Sequence, residues 1–306
     1  MTRRLPSRVI ARLEERFEVD RHEGDVLSPD ELRDRVREAD GLICVLTDRI
    51  DASVIDAARR LKIIADVAVG YDNIDVERAR ARGIVVTNTP EVLTEAVAEF
   101  TWGLILSVTR RITEGDRLVR AAGWKRWGLD FMLGAELAGK QLGILGMGRI
   151  GRAVAARAPA FGMAVAYHRG RSASLQACCT VSFDELLVTS DVISIHTPLT
   201  PETRHLIDQR ALARMKRTAY LINTSRGPVV DEAALAWALR ERLIAGAALD
   251  VYEKEPIVHP DLLGFENVVL APHLGSATRE TRTAMADLAV NNVLAVLSGQ
   301  PPLTPV

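Results

Sequence analysis

The chain has 306 residues, 48% hydrophobic and 26% charged, an ordinary globular composition with enough apolar material for two compact lobes. Its 39 basic and 40 acidic side chains leave a formal net charge of −1, so it carries no electrostatic footprint for nucleic acid or an anionic membrane. Cys44, Cys178 and Cys179 fit neither a disulfide framework nor a metal cluster, the basic start has no apolar stretch behind it, and no apolar run approaches the ~20 residues that span a bilayer. The expected setting is the cytoplasm, with small molecules and a second copy of the chain as partners.

From Gly41 onward, short apolar runs alternate with amphipathic stretches, the pattern of parallel strands joined by crossover helices. Strands are expected over 42–46, 62–65 and 84–86, with helices over 51–59 and 75–81, the second stopped by Gly83. A long helix over 94–111 leads to the loop 123–128, where Trp124 and Trp127 either cap a substrate cleft or anchor a lobe interface. Further strands over 141–145, 163–167, 192–195, 219–222, 247–249 and 268–270 give the strand count of a complete dinucleotide-binding sheet. Ser182 to Glu185 reads as a capping box ahead of Leu186 and Leu187. The stretch 278–298 is helical again and, with no strand after it, is expected to pack back on the first lobe.

The strand over 141–145 runs into Gly146-Met147-Gly148-Arg149-Ile150-Gly151 and then into a helix, the context that turns a common glycine spacing into a dinucleotide fingerprint. Gly146 permits the tight turn, Gly148 lets backbone approach a pyrophosphate, and Gly151 allows close helix packing. Free N–H groups of Arg149, Ile150 and Gly151 at the helix start suit the phosphates. The next strand ends in His168-Arg169-Gly170-Arg171, where an acid would otherwise hold the ribose 2′-OH of NAD. Two arginines there favour NADP(H), with NAD(H) as the lesser cofactor, unless both are solvated surface charges.

Three later strand ends carry polar residues that a core would reject. They are Asn223-Thr224-Ser225-Arg226-Gly227, the segment from Asp250 to Glu255-Pro256, and Pro272-His273-Leu274-Gly275. Hydride addition to a ketone builds negative charge on oxygen, which calls for a proton donor and a fixed positive charge. His273 can donate the proton, Arg226 can pair a carboxylate while pointing a donor at the keto oxygen, and Glu255 favours the protonated imidazole. His196, His205 and His259 lack such company and are read as structural or surface residues.

With these segments and with Val69-Gly70-Tyr71-Asp72-Asn73-Ile74-Asp75, the sequence resembles the D-isomer-specific 2-hydroxyacid dehydrogenases, closest to the glyoxylate/hydroxypyruvate reductase branch. The resemblance implies catalytic Arg226, Glu255 and His273, with Val69 and Gly70 as the substrate-carboxylate loop. It places Asp250 toward the nicotinamide and Thr94, Pro198, Thr224, Ser225 and Gly275 along the cofactor cleft. It also implies two doubly wound parallel-sheet α/β lobes and a homodimer. A Rossmann NAD(P)-binding domain, 98–273, is inserted in a discontinuous flavodoxin-like substrate domain, 1–97 and 274–306, with the active site in a cleft that closes on substrate. The family's usual strand ahead of the segment at Thr2 is missing or very short, leaving an exposed sheet edge. The expected reaction is NAD(P)H-dependent reduction of glyoxylate or hydroxypyruvate. The alternatives are an NAD-dependent dehydrogenase of a bulkier acid and a cofactor-sensing binding protein related to corepressors.

Overall fold

The computed structural model describes residues 1–168 and 178–306, and the chain divides into two compact units, Met1–Leu93 with Thr278–Val306 and Thr94–Ala277. No helix among the described residues is long and apolar enough to cross a membrane.

The first unit contains α1 (Ser7–Glu14), α2 (Pro29–Val36), β1 (Gly41–Cys44), α3 (Ala52–Ala57), β2 (Ile63–Asp66), α4 (Val76–Ala81) and β3 (Val85–Thr87). Its strands are parallel, in the order β1-β2-β3. Successive side chains on a strand point to opposite faces, and here both faces are covered. Leu42, Cys44 and Ile64 pack with Val36, Ile55 and Ala79 on one side. Ile43, Ile63 and Ala65 pack with Val9, Leu13 and, from the C-terminal helix Arg279–Leu297, Ala289 and Val290 on the other. Ser28 and Glu31 close a reciprocal capping box on α2, while Gly83, at φ +70°, lies just past α4. At the edge of β1 the Thr2 N–H donates to the Ile43 carbonyl at 3.1 Å, so this edge keeps one backbone bond.

The chain's last residues lie antiparallel along β3, with Val306 N–H on the Val86 carbonyl at 3.1 Å. Asn292, fully buried in the C-terminal helix, holds that tail through both ends of its amide. Its oxygen accepts the Leu303 and Thr304 N–H groups at 2.9 and 3.1 Å, and its nitrogen donates to Thr304 Oγ1 at 2.9 Å. Thr304 Oγ1 donates in turn to the Asn88 carbonyl at 2.6 Å, and Asn88 Nδ2 to the Val69 carbonyl at 2.7 Å. The Val69-Gly70 loop after β2 is thus tied to the C-terminal tail.

The second unit opens with α5 (Thr94–Thr109), close to the expected helix over 94–111, and continues in α6 (Ile112–Arg120), a further helix with no counterpart among the expected elements. Arg111 separates the two, in the left-handed region at φ +53° with its guanidinium on the Glu114 carboxylate at 2.6 and 2.7 Å. Then come β4 (Gln141–Leu145), α7 (Arg149–Arg157), β5 (Ala164–His168), β6 (Cys178–Thr180), α8 (Phe183–Thr189) and β7 (Val192–Ile195). After them follow α9 (Gln209–Arg214), β8 (Tyr220–Asn223), α10 (Glu232–Arg240), β9 (Gly246–Leu249) and β10 (Val268–Leu270). All pair in parallel in the order β10-β9-β8-β7-β4-β5-β6. The seventh strand, β6, exceeds the expected six: it lies on an edge, and Cys-Cys-Thr carries no apolar alternation to announce it. Ser182 Oγ accepts the Glu185 N–H at 3.1 Å and starts α8. Trp102 stacks on Phe161 at 4.3 Å and donates to the Val154 carbonyl, joining α5 to α7. Trp124 and Trp127 are 56% and 71% exposed.

Asn292→Leu keeps the side chain's branching and heavy-atom count but strands the Leu303 and Thr304 N–H groups. It should lower stability by about 2–4 kcal/mol, read from a chemical-denaturation midpoint. A loss below about 0.5 kcal/mol would mean that the tail is not held through Asn292.

Candidate active site

Because the second unit's sheet is wholly parallel, its strand C-termini lie along one edge, and β4 is the point from which the chain winds outward in both directions. The three glycines after β4 have different reasons to be glycine. Gly146 sits at φ +102°, where a Cβ would lie 2.8 Å from the backbone of His196, in the loop after β7. At Gly151, a Cβ would come 2.2 Å from the Gly146 carbonyl oxygen, so α7 could not start so close to the turn. Gly148 has an ordinary φ of −76°, is exposed as the N-cap of α7, and a Cβ there would meet no protein atom within 4 Å. Nothing in the protein itself demands glycine at that place. An open cradle at a helix N-terminus fits the pyrophosphate of a dinucleotide, with the N–H groups of Arg149, Ile150 and Gly151 beside it.

The polar residues beyond β8, β9 and β10 are knitted into one assembly. Asn223 closes β8: its oxygen accepts the Ser225 N–H at 3.0 Å and the Ser225 hydroxyl at 2.9 Å, and its nitrogen donates to the Arg226 carbonyl at 2.9 Å. That tight turn presents half-buried Arg226, whose Nη1 donates to the Ser225 carbonyl at 3.0 Å. A Cβ at Gly227 would lie 1.9 Å from the Tyr252 carbonyl, so glycine lets the Arg226 loop touch the loop after β9. In that second loop Glu255 Oε1 accepts the Tyr252 N–H at 3.1 Å, and Glu255 Oε2 lies 2.8 Å from His273 Nδ1. His273 stands in the left-handed region at φ +53°, an unusual conformation for a residue with a Cβ. Its turn is held by Asp250, whose carboxylate accepts the Leu274 and Gly275 N–H groups at 2.6 and 2.8 Å. Burial pushes the Asp250 carboxyl up, and those two bonds oppose it. Tyr252, whose hydroxyl donates to the Ala271 carbonyl at 2.9 Å, is pushed up to about 12 by burial and stays a neutral donor.

The remaining expected residues occupy defined places. Thr224 Oγ1 lies 3.0 Å from Thr101 Oγ1 on α5, Thr94 begins α5, and Pro198 is exposed beyond β7 with its carbonyl accepting Thr203 Oγ1. His168 ends β5 with Nδ1 at 3.0 Å from the Val181 carbonyl. Arg169, Gly170 and Arg171 lie outside the described residues. Val69 and Gly70 are half-buried in the first unit. His196, read as structural, has Nε2 at 2.8 Å from Ser194 Oγ, and burial lowers its proton affinity. His259 caps a short helical turn with Nδ1. Sequence reasoning overlooked Asn223 and Tyr252 as scaffolding; their one visible signal is polarity at a strand end.

The family model described as D-isomer specific 2-hydroxyacid dehydrogenase, NAD binding domain, matches residues 102–275. This chain belongs to the D-isomer specific 2-hydroxyacid dehydrogenase family. Within the family, a glyoxylate reductase of Thermofilum pendens is 50% identical over 312 residues, 99% of this chain and 92% of its own. A solved structure of a Thermus thermophilus protein superimposes with a TM-score of 0.95 at 50% identity, covering 100% of this chain and 98% of that one. An NADPH-dependent glyoxylate/hydroxypyruvate reductase from Sinorhizobium meliloti, solved with NADP and malonate, gives a TM-score of 0.88 at 39% identity, covering 99% and 94%.

The glycine geometry separates two substitutions. Gly148→Ala should fold within about 1 kcal/mol of the parent yet raise the KM for cofactor roughly tenfold, because its methyl enters the cradle. Gly151→Ala should lower the melting temperature by several degrees, about 4 °C or more, because Gly146 must move. Unchanged cofactor KM in Gly148→Ala would remove the cradle from the cofactor site.

Proposed function

We propose that this chain reduces small 2-keto acids of the glyoxylate type to 2-hydroxy acids with a nicotinamide cofactor. The observation that carries the reading is the His273–Glu255 pair, 2.8 Å apart at the same sheet edge as Arg226 and the Gly146–Gly151 turn. Bound NAD(P)H supplies the hydride that adds to the keto carbon. With Nδ1 facing Glu255, His273 keeps Nε2 for the substrate and delivers a proton from it to the carbonyl oxygen. Glu255 accepts from Nδ1 and so fixes the ring's orientation. Arg226 clamps the carboxylate and stabilises charge on the developing alkoxide, and Val69 and Gly70 offer backbone N–H groups to a carboxylate. Asp250 and Gly275, with Thr94, Pro198, Thr224 and Ser225, border the cofactor.

NADPH is the preferred cofactor in this reading. Its support is the sequence after β5, where His168 replaces an acid and Arg169 and Arg171 flank Gly170, and the S. meliloti relative is itself NADPH-dependent. A panel of glyoxylate, hydroxypyruvate and pyruvate with both cofactors tests activity and preference together. The two small oxygen-rich acids should be reduced fastest, and kcat/KM should favour NADPH by ~10- to 1000-fold. Arg169→Ala with Arg171→Ala should erase that preference by raising the KM for NADPH alone. Equal use of both cofactors by the parent removes the arginine assignment; no turnover with any keto acid removes the enzyme.

A second copy of the chain is the proposed protein partner. Ile112, Val119, Trp124, Trp127, Leu129 and Leu133 stand exposed along α6 and the loop after it, and apolar side chains gathered on one exposed segment suit a protein–protein contact. Light scattering should give about twice 33.5 kDa, falling to a single chain's mass in Trp127→Glu. A single-chain mass for the parent would contradict the dimer.

A further inference from the structure

Below the Glu255 loop lies a cluster of ionisable side chains that the reaction does not use. Glu253 and Glu232, the first residue of α10, bind each other reciprocally: Glu253 Oε1 accepts the Glu232 N–H at 2.9 Å, and Glu232 Oε1 accepts the Glu253 N–H at 2.8 Å. Glu232 is 5% exposed, and burial pushes its carboxyl up. Glu253 Oε2 lies 3.0 Å from His205 Nε2. His205 stands at φ +51°, and its backbone N–H donates to the Pro228 carbonyl, two residues past Arg226, at 2.8 Å. One residue therefore reaches both functional loops: its backbone is bonded behind Arg226 and its ring is bonded to the loop of Glu255.

Two neighbouring carboxylates repel, and burying Glu232 is costly unless something offsets it. Here the offsets are the N–H groups of Glu232 and Glu253 and the ring of His205, which join the start of α10, the Glu255 loop and the segment behind Arg226. A pair selected for stability alone could be replaced by apolar packing. A pair that fixes one loop against another cannot, because the bonds carry the register.

We propose that Glu253, with Glu232 and His205, is a positioning residue that locks the Glu255 loop to the Arg226 loop and thereby keeps Glu255 on His273. This rests on the acid–base reading of His273 given above. The charged groups facing His273 are Glu255, hydrogen-bonded to it, and Asp250 behind its turn.

The test is a double-mutant cycle of Glu253→Ala and Glu255→Gln, read by kcat, KM and the pH profile. For ketone reduction the active ring is protonated, so removing the Glu255 charge moves the alkaline limb of kcat/KM to lower pH. Glu253→Ala should move that limb the same way and lower kcat about tenfold through misplacement, leaving the KM for NADPH within about twofold. In the Glu255→Gln background, the same substitution should cost less than about twofold, since the positioned group is already neutral. Glu253→Gln, which keeps one acceptor oxygen and offers an amide to His205, should restore kcat to within about threefold. If Glu253→Ala does not fold, His205→Ala, which leaves the two carboxylates paired, should reproduce the limb shift. Equal losses in both backgrounds, or an unmoved limb beside a moved one for Glu255→Gln, overturn the clamp alone. An unmoved limb for Glu255→Gln overturns the acid–base reading and the clamp with it.

Discussion

Asp250 is 1% exposed, and a carboxylate that deep is tolerable only when its oxygens are saturated by donors. Its two oxygens take the N–H groups of Leu274 and Gly275, and its own backbone carbonyl takes the N–H of His273. The chain leaving β10 is thereby bent into the turn that holds His273 in the left-handed region. His273 meets Glu255 because of that turn, Glu255 is anchored on Tyr252, and Tyr252 lies against Gly227 beside Arg226. The polar edge of this unit is thus a chain of dependencies, each link a backbone group held by a side chain. Strain at one histidine is balanced by hydrogen bonds made on neighbouring strands.

Close approach, more than conformational freedom, explains most of the glycines that matter. Gly151 and Gly227 would put a Cβ inside backbone atoms of another segment, 2.2 and 1.9 Å away. Gly148 would not, and that difference marks it as a position kept small for something other than protein.

Much of this was legible in the residues. The alternation of buried runs and amphipathic stretches located β4, β7 and β10 at their observed limits, because strands buried on both faces are written as continuous apolar segments. The glycine turn was readable because a strand and a helix flank it. Histidine, glutamate and arginine at three strand ends stood out as candidates for chemistry because a core does not want them, and the fold brings the histidine and glutamate within 2.8 Å. The short edge strand β6 was not, since an exposed Cys-Cys-Thr has no pattern to follow. Nor was α6, which restarts after Arg111, a left-handed residue paired with Glu114, in a stretch where no separate helix was expected. The clamp of Glu232, Glu253 and His205 was invisible for a different reason. Its members are separated by 21 and 48 positions in the chain, and only the folded sheet edge brings them together.

In the proposed reaction the Arg226 guanidinium, on the loop that Asn223 holds, stabilises the charge that builds on the keto oxygen. Arg226→Lys tests that role, because lysine keeps the positive charge but loses the planar two-donor fork. The expected result is a loss of roughly 100-fold or more in kcat/KM for glyoxylate, about 3 kcal/mol of transition-state stabilisation, with the fold and cofactor binding intact. Activity within about threefold of the parent, under about 1 kcal/mol, would contradict it.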